Sequence, residues 1–177
     1  MAKLIVKEKE KIEAKDHALY FNALAGANGV LNTGNKLNIT VASANTVKLN
    51  DGIIQIQGRP YIVYPNEVIT LTVENGTQNM KRRDLIIAEF TKTSSAETVQ
   101  VKVIKGTPTS GNAIDPTLIQ QDTLASGTTY QFPLYRVRLN GINIEGTDDL
   151  RTYIPSMKKS MQFIRETDDY VEIEFYK

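Results

Sequence analysis

The sequence contains no cysteine, no tryptophan and a single histidine, His17. Without thiols there is no disulfide, no thiolate nucleophile, no zinc–thiolate centre and no iron–sulfur cluster. A Ser-His-Asp set would have to use His17, and no Gly-x-Ser-x-Gly elbow exists to present a serine. Long hydrophobic runs are also missing. Residues 1–20 hold no apolar stretch of signal-peptide length, and nothing approaches a membrane span. Neither sign of charge dominates: 21 Lys and Arg against 20 Asp and Glu leave a net charge of +1. That balance provides no electrostatic footprint for nucleic acid or an anionic membrane. These absences predict a chain synthesised in the cytoplasm without a signal peptide, with no cofactor, no nucleic-acid partner and no membrane.

Apolar residues make up 41% of the 177, enough for one real core. Three stretches are expected: an N-terminal segment and helix over 1–30, a β-rich core domain over 31–155, and a connector with a terminal hairpin over 156–177. Lys7 to Lys11 alternate in charge with Glu8 and Glu10 and read as a solvated segment. The helix is predicted over 16–25, with Asp16 as N-cap. Leu19/Tyr20, Ala23/Leu24 and Ala27 give it one apolar stripe, and Gly26 with Asn28-Gly29 ends it. A helix this short must pack on something else to persist.

From Leu37 onward the hydrophobic period is two. Leu37–Val41, Val47–Leu49, Ile53–Ile56, Tyr61–Tyr64 and Val68–Val73 read as short strands. Asn50-Asp51-Gly52 is a hairpin-turn sequence, and Gly58-Arg59-Pro60 a second break. Asp84–Phe90 is apolar on both faces and reads as a central strand, paired through Thr93–Ala96 with Thr98–Val103. Residues 106–129 are irregular, with a helical turn expected within Thr117–Leu124. Phe132–Leu139 is a further strand ending at Asn140-Gly141. Tyr153–Ser160 reads as a connector, and Gln162–Arg165 with Tyr170–Tyr176 as a terminal hairpin. The expected fold is mainly β, an antiparallel sandwich or rolled sheet with one short N-terminal helix and a C-terminal β-hairpin.

Chemistry-bearing patterns are few. Gly106-Thr-Pro-Thr-Ser-Gly111 lacks the Gly-Lys-[Ser/Thr] ending of a phosphate-binding loop. Asp148-Asp149 and Asp168-Asp169 read as turn acids rather than ligands for a hard cation, because neither has EF-hand spacing. Arg83-Asp84 at a strand start reads as an ion pair or a subunit contact, and Lys158-Lys159 as a solvated connector. The eight tyrosines fall mostly in strand patterns.

The order of segments resembles a known group. It consists of Gly29-Val-Leu-Asn-Thr-Gly34 after the helix, the strands around Val47 and Gly52, and the Gly58-Arg59 turn with Tyr61. Asn75-Gly-Thr-Gln78 then leads into Arg83–Ala88, followed by Val103–Pro108, Pro133–Val137 and Asp149-Leu-Arg151. This order, over roughly residues 15–155, is similar to baseplate or tail-appendage proteins of phages and prophages of Gram-positive bacteria. In that group such a segment anchors a receptor-binding protein or fibre to the tail tip. The resemblance implies a virion structural role without catalysis, self-assembly into a trimer or higher ring, and contact with other tail or baseplate proteins. Related chains often continue after the Asp-x-Arg segment into a fibre or a head, whereas here only a short hairpin follows. The residues expected to make oligomer or docking contacts are Leu19, Tyr20, Arg83, Asp84, Tyr170 and Phe175. The alternative is a carbohydrate-binding module recognising host cell-wall glycan, which requires clustered amides and exposed aromatics in loops. A third reading, a depolymerase, requires a deep cleft with facing carboxylates.

Overall fold

A computed structural model describes residues 12–155, 161–166 and 171–175. In chain order the elements are α1 (Ala14–Ala25), β1 (Gly29–Leu31), β2 (Ile39–Ser43), β3 (Thr46–Leu49), β4 (Gly52–Ile56), β5 (Arg59–Val63) and β6 (Ile69–Thr72). There follow β7 (Lys81–Lys92), β8 (Glu97–Ile104), β9 (Thr129–Asn140), β10 (Asn143–Asp149), β11 (Tyr153–Ile154), β12 (Met161–Glu166) and β13 (Val171–Phe175). The protein is mainly β, with one helix near the N-terminus. The long strands form an antiparallel sheet in the order β10-β9-β7-β8. Two smaller sheets, β11-β1-β4-β5 and β2-β3-β6, complete the body, and β12 pairs with β13 in a two-stranded sheet of its own.

The three body sheets share one core, and none closes into a barrel. Val30, Ile54 and Ile56 from one sheet meet Val47 and Leu49 from another, with Ile86, Ala88, Phe90, Leu134 and Val137 from the long-stranded sheet. Alternation decides which residues of β7 reach that core: Ile86, Ala88 and Phe90 point in, while Leu85 and Ile87 belong to the opposite face yet are also buried. Residues 109–123 run across that opposite face. Thr109 bridges Lys81, the Asp115 carboxylate accepts from Arg136, and the Ile119 N–H donates to Gln131. The segment is extended as far as 122, with Gln120 bridging Tyr130; of the helical turn expected within Thr117–Leu124 there is only a turn that starts at Thr123 and runs over 123–126. A strap tied by charge and amides explains why both faces of β7 are apolar in an antiparallel sheet.

Other departures from the sequence reading have physical causes. Asn50-Asp51-Gly52 is not a hairpin turn. It is the corner at which the chain leaves β3, paired with β2 and β6, for β4, paired with β1 and β5. The hairpin is instead Gln57-Gly58, both left-handed (φ 46° and 77°), which places Arg59 and Pro60 inside β5 rather than in a break. Pro133 lies within β9 where the pairing with β7 shifts between Ile86 and Ile87, a bulge that tolerates a missing N–H. Asp148 and Asp149 end strand β10 instead of forming a turn, because Arg136 and Arg138 bind Asp148 from the neighbouring strand. Tyr153-Ile154 is no mere connector: it pairs in parallel with β1. Lys7–Lys11, Lys158-Lys159 and Asp168-Asp169 lie outside the described residues.

Helix α1 begins two residues earlier than expected. Glu13 is the N-cap, and Asp16 sits at the third helical position, where its carboxylate accepts from the Glu13 N–H at 3.2 Å. Gly26, at φ 67°, closes the other end. The helix rests on the β4–β5 turn through its small-residue side. Ala18 is its one buried residue, and the Gln55 amide donates to the carbonyls of Phe21 and Ala27.

Candidate functional site

Two features of the surface stand out, and they lie on different elements. The first is an open cleft of about 550 Å³ beside the loop 32–38, walled on the other side by Tyr153 and Pro155. Asp51, which does not itself line the cleft, pins the loop in place. The Asp51 carboxylate accepts from both the backbone and side-chain N–H groups of Asn35, and its carbonyl accepts from the Leu37 N–H at 3.0 Å. The Asn35 hydrogen bonds hold the Asp51 carboxyl below the ordinary carboxylate range. Lys36 and Leu37 are both left-handed (φ 55° and 58°), an unfavourable pair for residues with side chains. The strain is held by contacts on every side: the Tyr135 hydroxyl donates to the Leu37 carbonyl at 3.1 Å, Leu37 is fully buried, and Arg151 donates to the Lys36 carbonyl.

Arg151 supports the other wall. Its guanidinium lies between two rings, 4.6 Å from the centroid of Tyr135 and 5.2 Å from that of Tyr153. It also makes two hydrogen bonds to Asp149, at 2.8 and 2.7 Å, and one to the Asn38 side-chain oxygen at 3.2 Å. Burial works against its charge, but Asp149 together with the neighbouring Tyr135 and Tyr153 raises its pKa. The same pair pulls the Asp149 carboxyl down, and burial pushes the Tyr135 phenol up to about 12. Asp148 and Asp149 are thus consumed by arginines. Among the described residues no group of three His, Asp or Glu side chains is placed to hold a metal ion.

No protein-family model matches the chain, and no curated protein matches it.

The second feature is the outward side of α1. Leu19, Tyr20 and Leu24 are 45%, 52% and 48% exposed, and Phe21 is exposed with its ring against Tyr20. The apolar stripe read from the sequence is real, but it faces away from the body. His17 is exposed on the same helix, its ring edge-on to Phe21.

The remaining expected contacts separate. Arg83 and Asp84 do not pair with each other. Asp84 is fully buried against Arg82, while the half-exposed Arg83 faces Asp115 at 3.6 Å. Successive strand residues point to opposite faces, so the neighbour in sequence is the wrong partner and the residue two away is the right one. Asp84 is therefore a structural group and not a subunit contact. Phe175 ends β13 opposite Met161; Tyr170 lies outside the described residues. The cleft escaped the sequence reading because Asn32, Asn35 and Asn38 look like ordinary turn residues, and Tyr153 is more than a hundred positions away. The regular spacing of the three asparagines was the available signal. No helix among the described residues is long and apolar enough to cross a membrane.

Proposed function

We propose that the chain is a non-catalytic structural component of a phage or prophage tail or baseplate, which oligomerises and forms part of the host-adsorption apparatus of the virion. The observation that carries the reading is the outward apolar face of α1. Four large side chains there, Leu19, Tyr20, Phe21 and Leu24, present on the order of 350 Å² of apolar surface, the size of the largest patch on a typical monomer. A second copy of the same chain is the occupant that fits. A standard interface takes about 800 Å² from each partner. The α1 face supplies about half of it, so a further contact must complete the contact surface. The β12–β13 hairpin is suited to that role, because an isolated two-stranded sheet is marginal in water and gains from pairing with another chain. The resemblance of residues 15–155 to tail-anchoring segments supports the particle in which this happens.

Light scattering after size exclusion tests the assembly. The wild-type chain is expected to run as a trimer or higher ring. Leu19→Asp with Tyr20→Asp changes only exposed positions and is expected to weaken association at least a hundredfold, each buried apolar side chain contributing about 1.5–3 kcal/mol. A wild-type monomer at all concentrations, or a variant of unchanged mass, overturns the α1 interface. Deleting residues 162–177 is expected to lower the oligomeric mass; an unchanged mass removes the hairpin from the interface.

A further inference from the structure

We infer that the cleft between the 32–38 loop and Tyr153 binds a saccharide unit carrying an acidic substituent. This goes beyond self-assembly and uses residues that α1 does not contribute. At about 550 Å³ the cleft has the size of a small-molecule site and stays open to solvent, as an end or branch of a longer chain requires.

The polar groups match hydroxyls. An amide offers both donor and acceptor, as a sugar hydroxyl does, and three amides line one wall. Two are already oriented by the fold. The Asn35 nitrogen is committed to Asp51, which leaves its oxygen to accept from a ligand. The Asn38 oxygen is committed to Arg151, which leaves its nitrogen to donate. Asn32 has no side-chain partner among the described residues. The loop is rigid before any ligand arrives, because Asp51, Tyr135 and Arg151 hold its backbone. That reduces the ordering cost that weakens most saccharide sites.

The opposite wall supplies the apolar contact that a pyranose ring needs. Tyr153 is 46% exposed, with Arg151 behind its ring, so one flat face is fixed and the other is free. The charge preference comes from Lys36. It lines the cleft, has no carboxylate partner among the described residues, and no acidic side chain lines the cleft with it. A carboxylate on the sugar would complete the ion pair.

The test uses the full chain with two probes of similar length, an oligogalacturonate and the neutral N-acetylglucosamine trimer. Saturation-transfer NMR reads contact with the ring protons, and calorimetry reads affinity. Transfer to the oligogalacturonate is expected, and it should disappear in both Tyr153→Ala and Asn32→Ala. The second variant removes a side chain without protein partners, so loss of folding cannot account for its effect. Lys36→Gln is expected to weaken the oligogalacturonate about tenfold and leave the neutral trimer unchanged. No transfer to either probe, or transfer that survives both variants, overturns the site. Equal affinity for the two probes with no effect of Lys36→Gln overturns the acidic preference. The Leu19→Asp, Tyr20→Asp variant should bind the oligogalacturonate as the wild type does, which separates failure of this site from failure of the assembly reading.

Discussion

Replacing Asp84 with alanine is expected to lower the melting temperature by roughly 10 °C. Asp84 and Arg82 occupy alternate positions of β7 on the face that lines the core, and their side chains are 1% and 2% exposed. Two hydrogen bonds of 2.8 Å join the guanidinium to the carboxylate. Each partner also ties down a loop. The Gly106 N–H donates to Asp84 at 2.8 Å, and Arg82 donates to the carbonyls of Glu74 and Asn75. Removing the carboxylate strands a buried cation and a loop N–H together. Breaking a buried pair from one side costs about 3–5 kcal/mol, and a chain of this size loses about 2–4 °C per kcal/mol. Replacing both partners with apolar residues of similar volume should cost much less, because no charge is then left unpaired. The exposed pair Lys105–Glu74 provides the contrast: Lys105→Ala should move the transition by about 2 °C or less. Thermal unfolding followed by circular dichroism checks all three. A drop of less than about 3 °C for Asp84→Ala would mean that water reaches the pair.

Gly58→Ala is expected to unseat helix α1 and leave the β body folded. Gly58 is the second residue of the β4–β5 turn, at φ 77°. A Cβ there would lie 1.7 Å from the Ala18 carbonyl oxygen and 2.8 Å from the Asn22 backbone nitrogen. These are backbone atoms of the helix and cannot turn aside as a side-chain tip can. Left-handed strain adds about 1–2 kcal/mol. The helix holds to the body through this contact and the Gln55 amide, and it is too short to persist alone. The expected results are rapid tryptic cleavage at Lys15 and loss of the oligomer, while the body melts within a few degrees of wild type. Gly26→Ala is the matched control. It has the same left-handed backbone at φ 67°, but no atom lies within 4 Å of its added Cβ. Equal protease sensitivity in the two variants would mean that strain, and not the seat on Gly58, controls the helix.

The sequence made legible what depends on local alternation. The β7–β8 hairpin, the burial of β7 on both faces, β9 ending at Asn140-Gly141 and the apolar stripe of α1 all follow from spacing. What it hid depends on partners distant in the chain. Asn50-Asp51-Gly52 has the composition of a tight turn, yet Asp51 is engaged by Asn35 and Gly52 packs against Leu37, so the chain changes sheet there. β10 has few apolar residues and is held by arginines on β9. The stripe of α1 could be read, but not its direction, since only the small residues fit over Gly58. The cleft needed Tyr153 and Arg151 brought beside the 32–38 loop, which no local pattern encodes.

The parallel pairing of β1 with β11 has a consequence for biosynthesis. Val30 meets Tyr153 and Leu31 meets Ile154, so the sheet holding the first strand is completed by nearly the last segment of the body. A contact spanning more than a hundred residues forms slowly, because closing so large a loop precedes any gain from the contact. During translation β1 leaves the ribosome long before its neighbour exists. Until then it keeps an open edge, the kind of edge on which nascent chains aggregate. Prematurely terminated products lacking 153–154 should therefore accumulate as insoluble material, even though they contain all of the long-stranded sheet.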